Sequence, residues 1–305
     1  MRHFVSLNDL SPLEFEEIFE LALTLKKQRK AGSLQRSLNG KTVALIFTKS
    51  STRTRVSFEA GINLLGGYPM FLSSSDIQIG RGETIYDTAK VLSLYVDGIM
   101  IRTFKQSDVE DLAKFGSVPV INGLTDEMHP CQVMADLLTV IEYKKTLKGL
   151  KMAYVGDGNN VANTLLQGCA KTGMDIFVAS PKGYECSQKY IDEAKESAKL
   201  SGSKVVLTDD PVEAVRSADA VYTDTWVSMG MESEKAKRIK VFGKYQVNSD
   251  LFSHAKPDAI FLHCLPAYRG FEVTEDVIDS SRSAVFDEAE NRMHVQNAIM
   301  VKLMG

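Results

Sequence analysis

The chain has 305 residues, 36 basic against 39 acidic side chains, a net charge of −3, and 44% hydrophobic and 25% charged residues. This is the composition of an ordinary globular protein, long enough for two domains with a core each. The near balance of charge excludes a polybasic surface for nucleic acid or membrane, and no apolar run nears the roughly 20 residues that span a bilayer.

The first element reads as a helix. "MRHFVSLNDLSPLEFEEIF" turns acidic where a signal peptide would be apolar. Ser11 stands as N-cap, Pro12 at the first helical position and Glu14 three residues on, the pattern of a capping box. Phe15, Ile18, Ala22 and Leu25 then share one face, and the basic run Lys26 to Lys30 suits a helix C-terminus. "KTVALIF" is a buried strand that runs straight into "SSTRTR". Phe58, Ile62 and Leu65 recur at helical spacing until Gly66-Gly67 stops the pattern. Further strands are predicted at "VDGIMIR", "SVPVING", "KMAYVGD", "DIFVAS", "KVVLT", "AVYTDTW", "AIFLHCL" and "SAVFDE". Helical patterns separate most of them, which predicts parallel α/β architecture. "CQVMADLLTVIEYKKTLKG" reads as one long helix ending at Gly149, a bridge between two domains with a ligand cleft between them. The 4 cysteines, Cys131, Cys169, Cys186 and Cys264, form no CxxC pair and read as reduced thiols of a cytosolic protein.

The chemistry gathers at strand ends. "SSTRTR" follows a strand and opens a helix, so unpaired N–H groups and the positive end of the dipole favour an anion there. Ser51, Thr52 and Thr54 add hydroxyls, and Arg53 and Arg55 add planar forks for phosphate or carboxylate oxygens. Arginines two residues apart on a helix point in different directions, so one faces a ligand while the other braces the loop. The stretch lacks the glycines and lysine of a P-loop. "VGDGNNVAN" holds Gly156 and Gly158 but Val161 where a dinucleotide fingerprint needs its third glycine. Its asparagines, Asn159 and Asn160, either cap a helix or bind a ligand's carboxylate or amine. "EMHPCQ" puts His129 and Gln132 around Pro130 at a helix start. "YTDTWVSMG", "FLHCLPAYRG" and "FDEAENRMH" end strands with Asp224, with His263 and Cys264, and with acids and Arg292. One sheet face would collect such groups. A zinc site from His129, Cys131, His263 and Cys264 matches no ligand spacing of known type.

Taken jointly and in order, "SSTRTRVSFE", "HPCQVMADLLT", "GDGNNVANT", "DTWVSMG" and "HCLPAYRGFEV" resemble the aspartate/ornithine carbamoyltransferase family over essentially the whole chain, and its ornithine-acting branch most closely. The resemblance implies two α/β domains, each with a parallel-sheet core flanked by helices and with the active site in the interdomain cleft. Residues 1–140 would bind carbamoyl phosphate, residues 141–290 the amino acid, and a final helix at 291–305 would pack back on the first domain. It implies transfer of the carbamoyl group to ornithine, giving citrulline and phosphate in arginine metabolism. It also implies a cytoplasmic homo-oligomer, a trimer or multiple of trimers, with no metal, organic cofactor, nucleic acid or membrane partner.

Residue by residue, the resemblance places Ser51, Thr52, Arg53 and Thr54 in a phosphate cradle, with Arg55 as support. Arg102 would touch phosphate and carbonyl oxygen, His129 and Gln132 the carbamoyl end, and Arg292 would complete that site. Gln78 would reach a neighbouring subunit's site. Asn160, Asp224, Ser228 and Met229 would hold ornithine, with Cys264 and Leu265 beside the reacting amine and carbamoyl group. Arg102, His129, Asp224 and Cys264 would carry the catalysis. An acid and a thiol suit a cationic amine, whereas an aspartate-acting relative must grip a second carboxylate. Putrescine and N-acetylornithine stay open as amines. A nucleotide-dependent oxidoreductase would use "VGDGNN" but leave "SSTRTR" unexplained.

Overall fold

The computed structural model describes residues 2–73, 77, 82–227, 230 and 232–305. The chain forms two compact units, one of Met1–Met134 with Arg292–Gly305, the other of Ala135–Asn291. It passes from one to the other inside two helices.

The first unit opens with α1 (Pro12–Lys30). Ser11 Oγ accepts from the Glu14 amide while Glu14 accepts from the Ser11 amide, the expected capping box, worth about 1 kcal/mol. Phe15, Ile18, Ala22 and Leu25 are all buried. The unit continues through β1 (Thr42–Phe47), α2 (Thr52–Leu64), β2 (Tyr68–Ser73), α3 (Ile85–Leu92), β3 (Gly98–Arg102), α4 (Gln106–Phe115), β4 (Val120–Leu124) and the start of α5 (Pro130–Lys144). Its sheet is parallel, in the order β2-β1-β3-β4. Val43 to Phe47 are buried without alternation, as a strand covered on both faces requires. One face is filled by Ala44, Ile46, Ile99 and Ile101 against Ala89, Val109 and Leu112.

The second unit holds β5 (Lys151–Val155), α6 (Asn160–Thr172), β6 (Asp175–Ala179), α7 (Gln188–Ser201), β7 (Val205–Thr208), α8 (Pro211–Val215), β8 (Ala220–Tyr222), α9 (Lys235–Phe242), α10 (Ser249–Ser253), β9 (Ile260–Leu262), α11 (Glu275–Ile278) and the start of α12 (Val285–Met304). Its sheet is also parallel, in the order β7-β6-β5-β8-β9. Ala153, Val155, Val221 and Phe261 pack against Trp226, Phe242 and Phe252. Each large apolar side chain buried in this way contributes roughly 1.5–3 kcal/mol.

Three elements differ from the sequence reading. β2 was not among the predicted strands; Pro69 argues against a strand, yet it is tolerated because β2 is the edge of its sheet. "SAVFDE" is not a strand. Ser283 makes a single bridge to Phe261, and from Val285 the chain is helical, with Asp287 and Glu288 in the favourable first turn. The long helix α5 ends at Lys144 rather than Gly149, because Lys145 turns to φ 69°. No helix of the described residues is long and apolar enough to cross a membrane.

Both sheets reverse their winding direction beside their first strand, between β1 and β3 in one unit and between β5 and β8 in the other. Crevices outside the carboxyl ends of such strands are where open α/β sheets bind ligands.

Candidate active site

In the first unit, β1 and β3 run side by side with Phe47 opposite Arg102, and the Thr48 amide donates to the Arg102 carbonyl at 3.0 Å. This pairing delivers the Arg102 side chain to the loop that opens α2. There Ser51 is the N-cap: its Oγ accepts from the Thr54 amide at 3.2 Å and donates to Thr54 Oγ1 at 3.1 Å. The fully buried Thr54 hydroxyl also receives Arg102 Nη1 at 3.4 Å and Arg292 Nη2, from α12, at 2.9 Å. Two guanidinium groups held on one oxygen repel each other, and an anion shared between them at a helix N-terminus relieves that repulsion.

Arg55 faces elsewhere. Its Nε donates to Glu59 at 2.9 Å and its guanidinium lies 3.5 Å from the centre of the Phe71 ring. Arg53 acts on His129 electrostatically. Lys49 closes the edge of the loop, paired with Asp126 and 5.0 Å from the Phe104 ring centre.

His129 precedes α5 and is buried, as is Gln132 in the first turn, whose amide donates to the His129 carbonyl at 3.1 Å. Burial, then Arg292, Arg102 and Arg53, hold the imidazole well below its ordinary range. His129 is therefore neutral at pH 7 and offers one N–H to a carbonyl oxygen. Beside it, burial pushes the Cys131 thiol up to about 12, and its Sγ donates to the Asn122 carbonyl at 3.4 Å, so Cys131 is inert packing.

In the second unit, the turn after β5 and the loop after β8 meet through one side chain. Asn159 caps α6, its Oδ1 accepting from the Val161 and Ala162 amides, which fixes the amide's orientation. Its Nδ2 therefore points outward and donates to Asp224 Oδ2 at 2.7 Å. Asp224 Oδ1 accepts from the Thr225 amide at 2.8 Å and from Cys264 Sγ at 3.1 Å. Gly158 lets this turn approach closely, since a Cβ there would lie 2.2 Å from the Cys186 amide nitrogen. Asp157 anchors the far side: Arg238 Nη1 donates to its carboxylate at 2.7 Å and to the Trp226 carbonyl at 2.9 Å. Val161 is buried in α6 where a dinucleotide fold needs a glycine, so the turn is built for asparagine chemistry.

Burial, then the negative charge of Asp224, pushes the Cys264 thiol well above its usual range. A protonated thiol bonded to a carboxylate is a poor nucleophile. After Cys264, Leu265 takes φ 56° and leads into a cis bond to Pro266. A left-handed conformation costs a non-glycine residue about 1–2 kcal/mol, and it persists only where the surroundings over-determine it. Here the Leu265 amide donates to His263 Nδ1 at 2.9 Å. Of the four zinc candidates, His263 and Cys264 lie in a group whose ligand atoms fall within 4.8 Å of one another, and the third member is Asp224. His263 Nδ1 accepts that amide, which commits it to the loop, and Nε2 lies 3.4 Å from Glu272.

The predicted residues thus fall into two groups. Ser51, Thr52, Arg53, Thr54, Arg102, His129, Gln132 and Arg292 belong to the first unit, and Asn160, Asp224, Cys264 and Leu265 to the second. Gln78, Ser228 and Met229 lie outside the described residues. Asn159, which the sequence reading did not place in the site, makes a contact with Asp224; the signal for it was the cap position itself.

The carbamoyl-P binding domain of aspartate/ornithine carbamoyltransferases matches residues 2–142, and the Asp/Orn binding domain of the same family matches residues 148–303. The ornithine carbamoyltransferase of Caldicellulosiruptor saccharolyticus is 62% identical over 301 residues, 99% of this chain and 98% of that protein. That of Bacillus subtilis is 57% identical, over 99% of this chain and 94% of that protein. The solved structure of ornithine carbamoyltransferase from Pyrococcus furiosus superposes with a TM-score of 0.97 at 53% identity, covering 100% of this chain and 97% of that one. Matched in both halves and along its whole length, the chain belongs to the aspartate/ornithine carbamoyltransferase family.

Proposed function

We propose that the protein transfers the carbamoyl group of carbamoyl phosphate to the δ-amine of L-ornithine, releasing L-citrulline and phosphate, as a step of arginine metabolism. The observation that carries the reading is the convergence of Arg102 and Arg292 on Thr54 at the N-terminus of α2. The names of relatives 54–62% identical to it support the same substrate pair.

The first unit holds carbamoyl phosphate. Ser51, Thr52, Arg53, Thr54, Arg102 and Arg292 take the phosphate oxygens, and neutral His129 and Gln132 take the carbamoyl end. The second unit takes ornithine, with Asp224 as the counter-charge of its δ-ammonium and Asn159 and Asn160 at the edge. An ammonium with a pKa near 10 must lose a proton before it attacks, and Asp224, with Cys264, orients the amine as it does so. The neutral nitrogen adds to the carbamoyl carbon, and the carbonyl oxygen becomes an oxyanion. Donors from Arg102, His129 and Thr54 stabilise it; losing one such donor typically costs about 10²–10³ in rate. The carbonyl re-forms as the bond from carbon to the phosphate oxygen breaks, the nitrogen's extra proton passes to the departing phosphate, and the arginines hold the phosphate's remaining charge. Cys264 forms no bond to the substrate, consistent with a thiol held in its protonated form.

The protein works as a homo-oligomer, a trimer or multiple of trimers. Exposed Leu94 and Tyr95 after α3 and Tyr68 on the edge strand support an apolar interface there. Four free thiols support a cytoplasmic setting.

The test is a parallel assay with carbamoyl phosphate and L-ornithine, L-aspartate, putrescine or N-acetylornithine, following phosphate and the carbamoylated product. Citrulline from ornithine alone is expected. Faster turnover of another amine would keep the anion site and overturn the assignment of the amine; silence with all four would overturn both.

A further inference from the structure

Behind the Cys264 loop lies a buried group that the mechanism above does not use. Glu288, in the first turn of α12, is 1% exposed, and Asp136, in α5, is fully buried. The two carboxyl groups act on each other within the buried interior, and Asp136 adds to the burial that holds the proton on Glu288. Two buried carboxyl groups that interact cannot both carry a charge without strong repulsion, which favours one proton between them. The other contacts of Glu288 reach the active loop. Its Oε2 accepts from the His263 amide at 2.9 Å and its Oε1 from the Tyr222 hydroxyl at 3.4 Å. His263 is the first residue after β9. The next residue is Cys264, whose thiol bonds Asp224, and the one after it is the strained Leu265. The loop is therefore gripped at two successive points: Glu288 takes the His263 amide, and the His263 ring takes the Leu265 amide.

We propose that Glu288 is a positioning residue for the amine-binding group: sharing one proton with Asp136, it holds the His263 amide and so sets where the Cys264 thiol meets Asp224. The inference rests on the reading of Asp224 and Cys264 as the ornithine end. The shared proton is what makes the grip compatible with burial. Two ionised carboxylates in contact would repel strongly in a low dielectric, whereas a pair with one proton can accept from both His263 and Tyr222. Among the described residues, the titratable groups that face the pair include Tyr222 on β8, Cys169 on α6, and His263, Cys264 and Asp224 at the strand ends. Burial and the neighbouring acid push Glu288 well above the usual carboxylate range, in keeping with a retained proton.

The variants Glu288→Ala, Glu288→Gln and Asp136→Asn test this. In E288A the loop loses its anchor, and kcat/KM for ornithine should fall by about 10²-fold, the usual cost of a displacement of about 1 Å, with carbamoyl phosphate affinity unchanged. E288Q should recover most of that loss, because its carbonyl still accepts from His263 and its amide donates to Asp136. D136N should keep the loop in place while leaving Glu288 ionised. Infrared spectroscopy at pH 8 should then show the carbonyl stretch of a protonated carboxylic acid in the wild type and lose it in D136N. Wild-type kinetics in E288A, or a parallel loss of carbamoyl phosphate affinity, would overturn the positioning role. An active wild type without the band would overturn the shared proton. A wild type that shows the band but does not turn over ornithine would instead sink the ornithine reading, and the positioning role with it.

Discussion

In the first unit, the loop after the central strand β1 carries Ser51 and Thr54, and its neighbour β3 contributes Arg102. In the second unit, the turn after the central strand β5 carries Asn159, and its neighbour β8 contributes Asp224. The positions are equivalent in the two sheets, both at the reversal of winding. The side chains are opposite in charge. One crevice collects three arginines and keeps its histidine neutral. The other collects a carboxylate and keeps its thiol protonated. On the function proposed above, the same strand-end geometry serves an anion in one unit and an ammonium in the other, and the decoration of the loops sets the difference.

The largest expected break in this contrast is at Arg102. Replacing it with Met removes one of two guanidinium groups on Thr54 and a donor to the oxyanion, so kcat/KM for carbamoyl phosphate should drop by about 10²–10³; steady-state kinetics at saturating ornithine measures it. Next comes Asp224→Asn, which keeps the shape but removes the negative charge and puts an amide N–H2 in place of one of two accepting oxygens. Turnover of ornithine should fall about 10²-fold, within the range for losing a group that assists proton transfer. Initial rates at saturating carbamoyl phosphate measure this.

A smaller effect concerns stability. Because His129 titrates well below 6.5 in the folded chain, the unfolded chain binds a proton near pH 6.5 that the folded chain refuses. Stability should therefore fall as pH drops below 6.5, by at most about 1.4 kcal/mol per pH unit for this one group. Urea titrations from pH 7 to 5 should show a shallower slope in His129→Gln than in the wild type.

The smallest effect is kinetic. Cys264 is held above its usual range first by burial and then by Asp224, so alkylation by iodoacetamide should stay slow until well above pH 9. It should be several-fold faster in D224N, where the neighbouring charge is gone. Equal rates in the two proteins would show that the carboxylate does not act on the thiol.

Much of the first site was legible because its signals are local. A β-branched run followed by hydroxyls and arginines at a helix start announces a strand, a loop and an anion-binding N-terminus within about 15 residues. Even the division of labour between Arg53 and Arg55 follows from helical geometry. Other features have no local signature. β2 was hidden by Pro69, which only its place at the sheet edge excuses. "SAVFDE" looked like a strand because four small or apolar residues precede the acids, and nothing nearby reveals that the acids open a helix. The Asp136–Glu288 pair lies 152 positions apart in the chain, and neither acid belongs to a pattern that announces burial. Asn159 and Asn160 could not be told apart until the cap bonds of α6 fixed which amide turns toward Asp224.

On the proposed function, charge divides the two substrates between the two groups of residues. The most direct test of this division is calorimetric titration of carbamoyl phosphate, without ornithine, into the wild type, R102M and D224N. Affinity should fall at least about tenfold in R102M, in line with the loss of a charge-assisted bidentate donor, and stay at the wild-type value in D224N. Loss of carbamoyl phosphate binding in D224N, or its full retention in R102M, would contradict the claim.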